Sequence, residues 1–228
     1  MNTNYPDNRY VYYKNNPSLF EERVDKTKKT VNYAIIAVCV LLLSGCSQIF
    51  PPPIYSSKAM DEVIKDLKKI NGKYKIERVI VSENEKLSNE FGFATVYIHD
   101  NEGQRFTQSF IYNNNIPAQD PKPVGGHNPQ LLKEIKVDDI IKQKDNLEKY
   151  VEQAATQILE ELEGKFVFRS VAELDFIADR NGDLQIEITL NCTEKGKSSH
   201  REGRSLVTDY YSFEFIVDKD GNVTYQDE

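Results

Sequence analysis

Apolar residues recur at three- and four-residue spacing over 57–70, where Met60, Val63, Ile64, Leu67 and Ile70 share one face and Asp61, Lys65, Asp66 and Lys68 take the other. That period predicts an amphipathic helix lying on a core, ended at Gly72. The period then changes to two, predicting strands over 74–82, 92–99 and 105–112. The last two strands are joined by Asp100-Asn101-Glu102-Gly103, a hairpin signal that puts Gly103 where positive φ is needed. Residues 113–129, "NNNIPAQDPKPVGGHNP", are dense in Asn, Pro and Gly and predict a linker or exposed loop. A broad apolar face of Leu147, Tyr150, Val151, Ala154, Ala155, Ile158, Leu159 and Leu162 predicts a long helix over 146–163, ended by Gly164. Alternating runs over 166–178, 184–193 and 206–217, with a short one over 223–225, predict further strands.

The chain thus reads twice as one helix followed by three strands. Gly72-Lys73-Tyr74 matches Gly164-Lys165-Phe166 at a shift of 92, and the same shift sets Val79 on Val171 and Ala94, Val96 and Ile98 on Ile186, Ile188 and Leu190. The expectation is an α+β fold, a tandem repeat of one helix packed on a three- to four-stranded antiparallel sheet. Its first unit would cover residues 57–113, a linker 114–145 and a second unit 146–228. By element order alone, this arrangement resembles the tandem helix-plus-sheet domains of cystatin-like, PepSY-like and beta-lactamase-inhibitor-like exported bacterial proteins. The resemblance implies a binding module; fold analogy carries function no further.

Upstream lies an apolar run over 33–43, about half of the ~20 residues that span a bilayer and within the range of a signal-peptide core. Arg23, Lys26, Lys28 and Lys29 precede it, the cationic flank that stays in the cytoplasm during export. It ends in Leu43-Ser44-Gly45-Cys46, which resembles the bacterial lipobox. The resemblance implies cleavage before Cys46, diacylation of that residue and membrane attachment through its acyl chains, with residues 31–45 as the signal's apolar region. Ser47, in place of an Asp after the cysteine, implies outer-membrane sorting in a host with two membranes. Counting on through Phe50 reaches bilayer length, but only by including small and polar residues, which keeps a single-pass anchor as the alternative. Residues 1–30 are polar, without periodicity and longer than such signals carry, which reads as a disordered leader or as a start placed too early, Val24 being one alternative. Residues 46–56 read as a lipidated tether, its Pro51, Pro52 and Pro53 favouring extended geometry.

From Cys46 onward 183 residues remain, carrying 23 Lys and Arg against 32 Asp and Glu, a net charge of −9. Such a surface repels nucleic-acid backbones, so nucleic-acid binding is set aside. Cys39 reads as an apolar filler of the signal core, and acylation of Cys46 leaves Cys192 as the one thiol, with no disulfide to form. Cys192 ends a strand pattern and reads as structural.

No catalytic constellation stands out. His99, His127 and His200 are far apart and lack a metal-ligand spacing. "DRNGD" from Asp179 and "DKDGN" from Asp218 place Gly182 and Gly221 fourth rather than sixth, which suits hairpin turns better than calcium loops. The loop "EKGKSSHREGR" sets Lys195, Lys197, His200, Arg201 and Arg204 on an otherwise acidic chain, a possible binding loop for an acidic partner or an anionic glycan. Tyr210 or Tyr211, in "DYYSFEF", could add a recognition surface. The expectation is a non-enzymatic envelope lipoprotein without cofactor or metal, binding a protein partner as an assembly accessory, for instance of a secretion apparatus. A small-ligand or glycan carrier is the alternative of a different class, and a hydrolase built around His127 or His200 a third.

Overall fold

The computed structural model describes residues 51–112, 118–125, 133–161, 165–196, 199–202 and 205–226. The first helix, α1 (Ser57–Ile70), buries Ala59, Met60, Val63, Ile64, Leu67 and Ile70, the face its periodicity marks. Ser56 caps it, accepting the Ala59 N–H at 3.2 Å while donating its hydroxyl to Pro53 O at 2.7 Å. Such a cap is worth about 1 kcal/mol. Three strands follow, β1 (Lys75–Glu83), β2 (Phe91–His99) and β3 (Arg105–Ile111).

Within the stretch read as a linker, β4 (Lys122–Pro123) adds two residues beside β3, and Ile135 bridges to Ile76 of β1. A short helix α2 (Val137–Gln143) comes next, and a 3-10 turn (Lys144–Asn146) feeds α3 (Leu147–Glu161). The remaining strands are β5 (Phe166–Ala178), β6 (Leu184–Glu194), β7 (Ser199–Glu202), β8 (Ser205–Thr208), β9 (Tyr211–Val217) and β10 (Val223–Tyr225). The run expected as a single strand over 206–217 is two: β8 pairs with β7 in a separate ribbon, and β9 joins the main sheet.

The expected tandem of two helix-on-sheet units is incorrect. Eight strands form one antiparallel sheet in the order β10-β9-β6-β5-β1-β2-β3-β4. Its centre is the pairing of β1 with β5, in which Arg78 faces Ile177, Ile80 faces Asp175 and Ser82 faces Glu173. In the tandem reading these two strands would each have ended a separate sheet. Open edges expose unpaired N–H and C=O groups, and pairing the two edges with each other satisfies both rows. Alternation along each strand says which residues share a face, but not which distant strand lies alongside.

One sheet face is apolar from β10 across to β2. Val96, Val79, Phe176, Ile186, Val217 and Val223 form a cross-strand row, and Ala94, Val81, Leu174, Ile188, Phe215 and Tyr225 form the next. These residues join the buried faces of α1 and α3 in one hydrophobic core, with Leu147, Tyr150, Val151, Ala154 and Ile158 contributed by α3. The polar phase of the same strands therefore lies on the opposite face.

The hairpin turns share one chemistry. Asp100, Asp179 and Asp218 each accept two backbone N–H groups of their own turn on Oδ1, at 2.7 to 2.9 Å. The glycine three residues on, Gly103, Gly182 or Gly221, takes φ of 81°, 91° or 83°. These are Asp-x-x-Gly turns in which the side chain closes the loop and the glycine supplies the left-handed residue.

Candidate functional site

On the polar face the strand register brings together residues distant in sequence. Asp175 of β5 stands directly opposite Glu187 of β6, and Glu173 stands opposite Thr189, which in turn faces Glu214 of β9. With strands spaced about 4.8 Å apart, Glu173 and Glu214 lie roughly 10 Å from each other across the sheet. Arg78, reaching diagonally from β1, is the cation among them. Together with Ile216 and Gln226 these residues line an open pocket of about 370 Å³.

Arg78 is fixed on two sides. Its guanidinium lies 5.9 Å from the centroid of the Tyr97 ring, its partner on β2. Its Nε donates to Asp175 Oδ2 at 2.7 Å, and Nη2 goes to the same oxygen. An arginine on a carboxylate commonly spreads its donors over both oxygens. Here both go to Oδ2, and Asp175 Oδ1 finds no hydrogen-bond partner among the described residues although the residue is only 3 % exposed.

The electrostatics follow from that geometry. Burial raises the pKa of Asp175 above the ordinary carboxylate range, the Arg78 pair opposing it. Burial also raises Glu173 and Glu187, each pushed further by the Asp175 charge. Glu187 receives the amide of Gln185 at 3.0 Å. Like charges directly opposite on a sheet are destabilising, and Arg78, with Lys86 acting on Glu173, offsets the repulsion in part.

The residues singled out from sequence are dispersed. Cys46, His127, Lys197 and Arg204 lie outside the described residues. Lys195 is exposed in the turn after β6, while His200 and Arg201 stand on β7 opposite Val207 and Leu206 of β8. Residues 199–202 of the basic loop thus belong to a ribbon apart from the main sheet. Tyr210 is 38 % exposed between β8 and β9, with the Lys86 ammonium 5.7 Å from its ring centroid. His99 is buried, with Nδ1 3.1 Å from Glu77 Oε1, and Arg105 holds the same carboxylate at 2.6 and 2.9 Å. That cluster ties β1 to β2 and β3 and offers no nucleophile. Cys192 is fully buried, which pushes its thiol pKa to about 12. No helix among the described residues is long and apolar enough to cross a membrane.

No protein-family model matches this chain, and neither a curated protein nor a solved structure does.

Sequence reading passed over the acidic face. Its signal was present as Glu173-x-Asp175, Gln185-x-Glu187 and Ser212-x-Glu214, the polar phase of three strands. Ordinary solvated strand faces look the same. What distinguishes this one is adjacency of β5, β6 and β9, which periodicity does not encode.

Proposed function

We propose that this chain is a non-catalytic binding module, held at a membrane surface through Cys46, that presents the polar face of its sheet to a protein partner in the cell envelope. The observation carrying this reading is the asymmetry of the sheet. Helices and core occupy one side of the eight strands, while the other bears a cluster of carboxylates with Arg78 fixed among them. Binding surfaces on rigid strands hold their side chains in place at little entropic cost on association. The exposed Phe93, 39 % exposed on the same face, supplies an apolar contact at the β2 end.

The lipid tether follows from the lipobox resemblance at Leu43-Ser44-Gly45-Cys46. Two or three acyl chains suffice for stable anchoring. Outer-membrane sorting belongs to the same proposal. A carrier of apolar small molecules fits less well, because the pocket on the polar face is lined chiefly by charged and polar side chains, four of them carboxylates.

Two measurements test the two parts. Intact mass of the membrane-extracted protein should match residues 46–228 plus acyl chains, and a Cys46→Ser variant should lose that species; a chain retaining residues 1–45 overturns the lipid tether. A photo-crosslinking side chain at Glu214, compared with one at exposed Glu152 of α3, should give an adduct of one discrete mass in intact cells. Equal labelling from the two positions overturns the docking face.

A further inference from the structure

The chain is fastened to the sheet from Pro52 onwards, so little of it is left as a tether. Pro52 O accepts the Phe91 N–H at 2.9 Å, Pro53 bridges to Glu90, and the fully buried Ile54 donates its N–H to Asn89 O at 3.2 Å. The Asn89 side chain in turn accepts the Val171 N–H at 3.0 Å, which sets the root of the tether level with Val171 of β5. Only residues 47–51 separate Cys46 from Pro52. At full extension that length reaches about 20 Å.

This reach decides which part of the fold meets a membrane. The β2–β3 turn begins at Asp100, nine residues along the chain from Phe91 and so about 30 Å from the root, and the tether does not let the fold stand on it. In the other direction β5 and β6 run on past the root. Lys165 lies six residues before Val171, about 20 Å beyond it, and its carbonyl accepts the Lys195 N–H at 2.7 Å. The extended tether and this projecting end therefore reach the same plane. The β7–β8 ribbon leaves the sheet there, and Tyr210, with the Lys86 ammonium over its ring, follows it.

The two ends also differ in charge. Over 84–90, 165–169, 194–196 and 209–210, the exposed charged residues are Lys86, Lys165, Arg169 and Lys195 against Glu85 and Asp209, with Glu90 and Glu194 half-buried. The three Asp-x-x-Gly turns at the opposite end, 100–104, 179–183 and 218–222, carry six acids and two cations. Anionic headgroups attract cations and repel carboxylates within about a Debye length of the surface. A tyrosine, with an apolar ring and a polar tip, suits the interface itself.

We propose that the projecting β5–β6 end of the sheet rests on the headgroup layer of the membrane that holds Cys46, with Lys86, Lys165 and Lys195 meeting lipid phosphates and Tyr210 at the interface. The proposal rests on the reading of Cys46 as the lipid anchor and deepens it by orienting the fold. The Asp-x-x-Gly turns then point away from the bilayer, and the carboxylate-bearing sheet face stands sideways, open to a docking partner.

The chain contains no tryptophan, so a single introduced one reports its own position. The full protein is extracted from membranes and reconstituted into vesicles of phosphatidylcholine and phosphatidylglycerol that carry a dansyl-labelled headgroup as energy acceptor. Tyr210→Trp should transfer energy to the headgroup dye several-fold more than Glu102→Trp, a change that, by removing an acid, favours approach of its turn. Adding Lys165→Gln and Lys195→Gln to the Tyr210→Trp chain should lower the transfer, as should vesicles of phosphatidylcholine alone. Both lysines are exposed, and the hydrogen bond between them is backbone to backbone, so these substitutions leave the strand ends paired. Equal transfer from the two tryptophans overturns the orientation, and transfer indifferent to both lysines and to phosphatidylglycerol overturns the phosphate contact. Intact mass of the same samples separates the two readings. A chain retaining residues 1–45 sinks the lipid anchor, whereas equal transfer from a chain of lipidated mass sinks the orientation and leaves the anchor standing.

Discussion

Asn191 donates its side-chain amide to Glu83 Oε1 at 3.0 Å, a buried hydrogen bond between residues 108 positions apart. The other donors to Glu83 are the backbone N–H groups of Leu87 and Asn89, each at 3.1 Å. Asn191 Oδ1 in turn accepts the Ser212 hydroxyl at 2.9 Å, and Asn89 Oδ1 accepts the Val171 N–H at 3.0 Å. One carboxyl group therefore fastens the end of β1, the loop after it, β5, β6 and β9 where the two halves of the chain meet. Glu83→Ala should cost about 3 kcal/mol, since it leaves three buried or half-buried donors unpaired. Urea unfolding measures it, and a loss below about 0.5 kcal/mol would mean that water replaces the carboxyl group freely.

The same loop explains a sensitive glycine. A Cβ on Gly92 would fall 2.4 Å from Asn84 Cα, a backbone atom that cannot swing away, whereas a Cβ on Gly72 would meet nothing within 4 Å. Gly92→Ala should lower stability by about 1–3 kcal/mol or more, and Gly72→Ala should change it little. Paired thermal melts of the two variants check this; equal melting temperatures would contradict the close approach.

Acidity should act on the polar face with a definite sign. Glu173, Asp175 and Glu187 have folded-state pKa values above their unfolded ones, with burial the largest cause for each. The folded state then binds more protons in the window just above the ordinary carboxylate range. These groups destabilise the fold at neutral pH and cease to do so as pH falls through that window. The charges in play are Arg78 on β1, Lys86 in the loop after it, and Glu214 on β9. Half-buried Asp179 and exposed Asp218 have lowered values from hydrogen bonds within their own turns, which outweigh desolvation, so their contribution is present above the unfolded range and disappears only at more acidic pH. The difference in unfolding free energy between wild type and Glu187→Gln, measured from pH 7.5 to 4.5, should therefore shrink as pH falls. A flat difference would show that Glu187 feels no burial penalty.

Cys192 should be chemically silent in the folded protein. It is fully buried and its pKa is pushed to about 12, so neither access nor thiolate is provided. In a Cys39→Ser/Cys46→Ser variant, an aromatic disulfide reagent at pH 8 should label Cys192 only in denaturant. Prompt labelling without denaturant would mean that the β6 region opens readily.

Much of the local structure was legible. The face of α1 marked by its period is the face buried, most of the strand runs recur, and the Asp-x-x-Gly turns form where the sequence places them. These features depend on neighbours in sequence: a 3.6 or two-residue period, a capping hydroxyl, an aspartate closing its own turn. The exceptions are also instructive. Residues 206–217 alternate as one strand, yet β8 and β9 part at Asp209-Tyr210, because β8 pairs with β7 instead of β6.

By itself the sequence determined the positions of α1, α3 and most strands, though not of α2 or β4, and with them the apolar and polar phase of those strands and the acidic balance of the chain. The tertiary structure alone decided that β1 and β5 pair, which turns two expected sheets into one and sets Glu173 and Asp175 beside Glu187 and Glu214. The reason is physical: periodicity assigns each side chain to a face, but hydrogen-bonded edges are chemically alike. Which edges join is settled by how the whole apolar face is covered, a global condition no local pattern expresses.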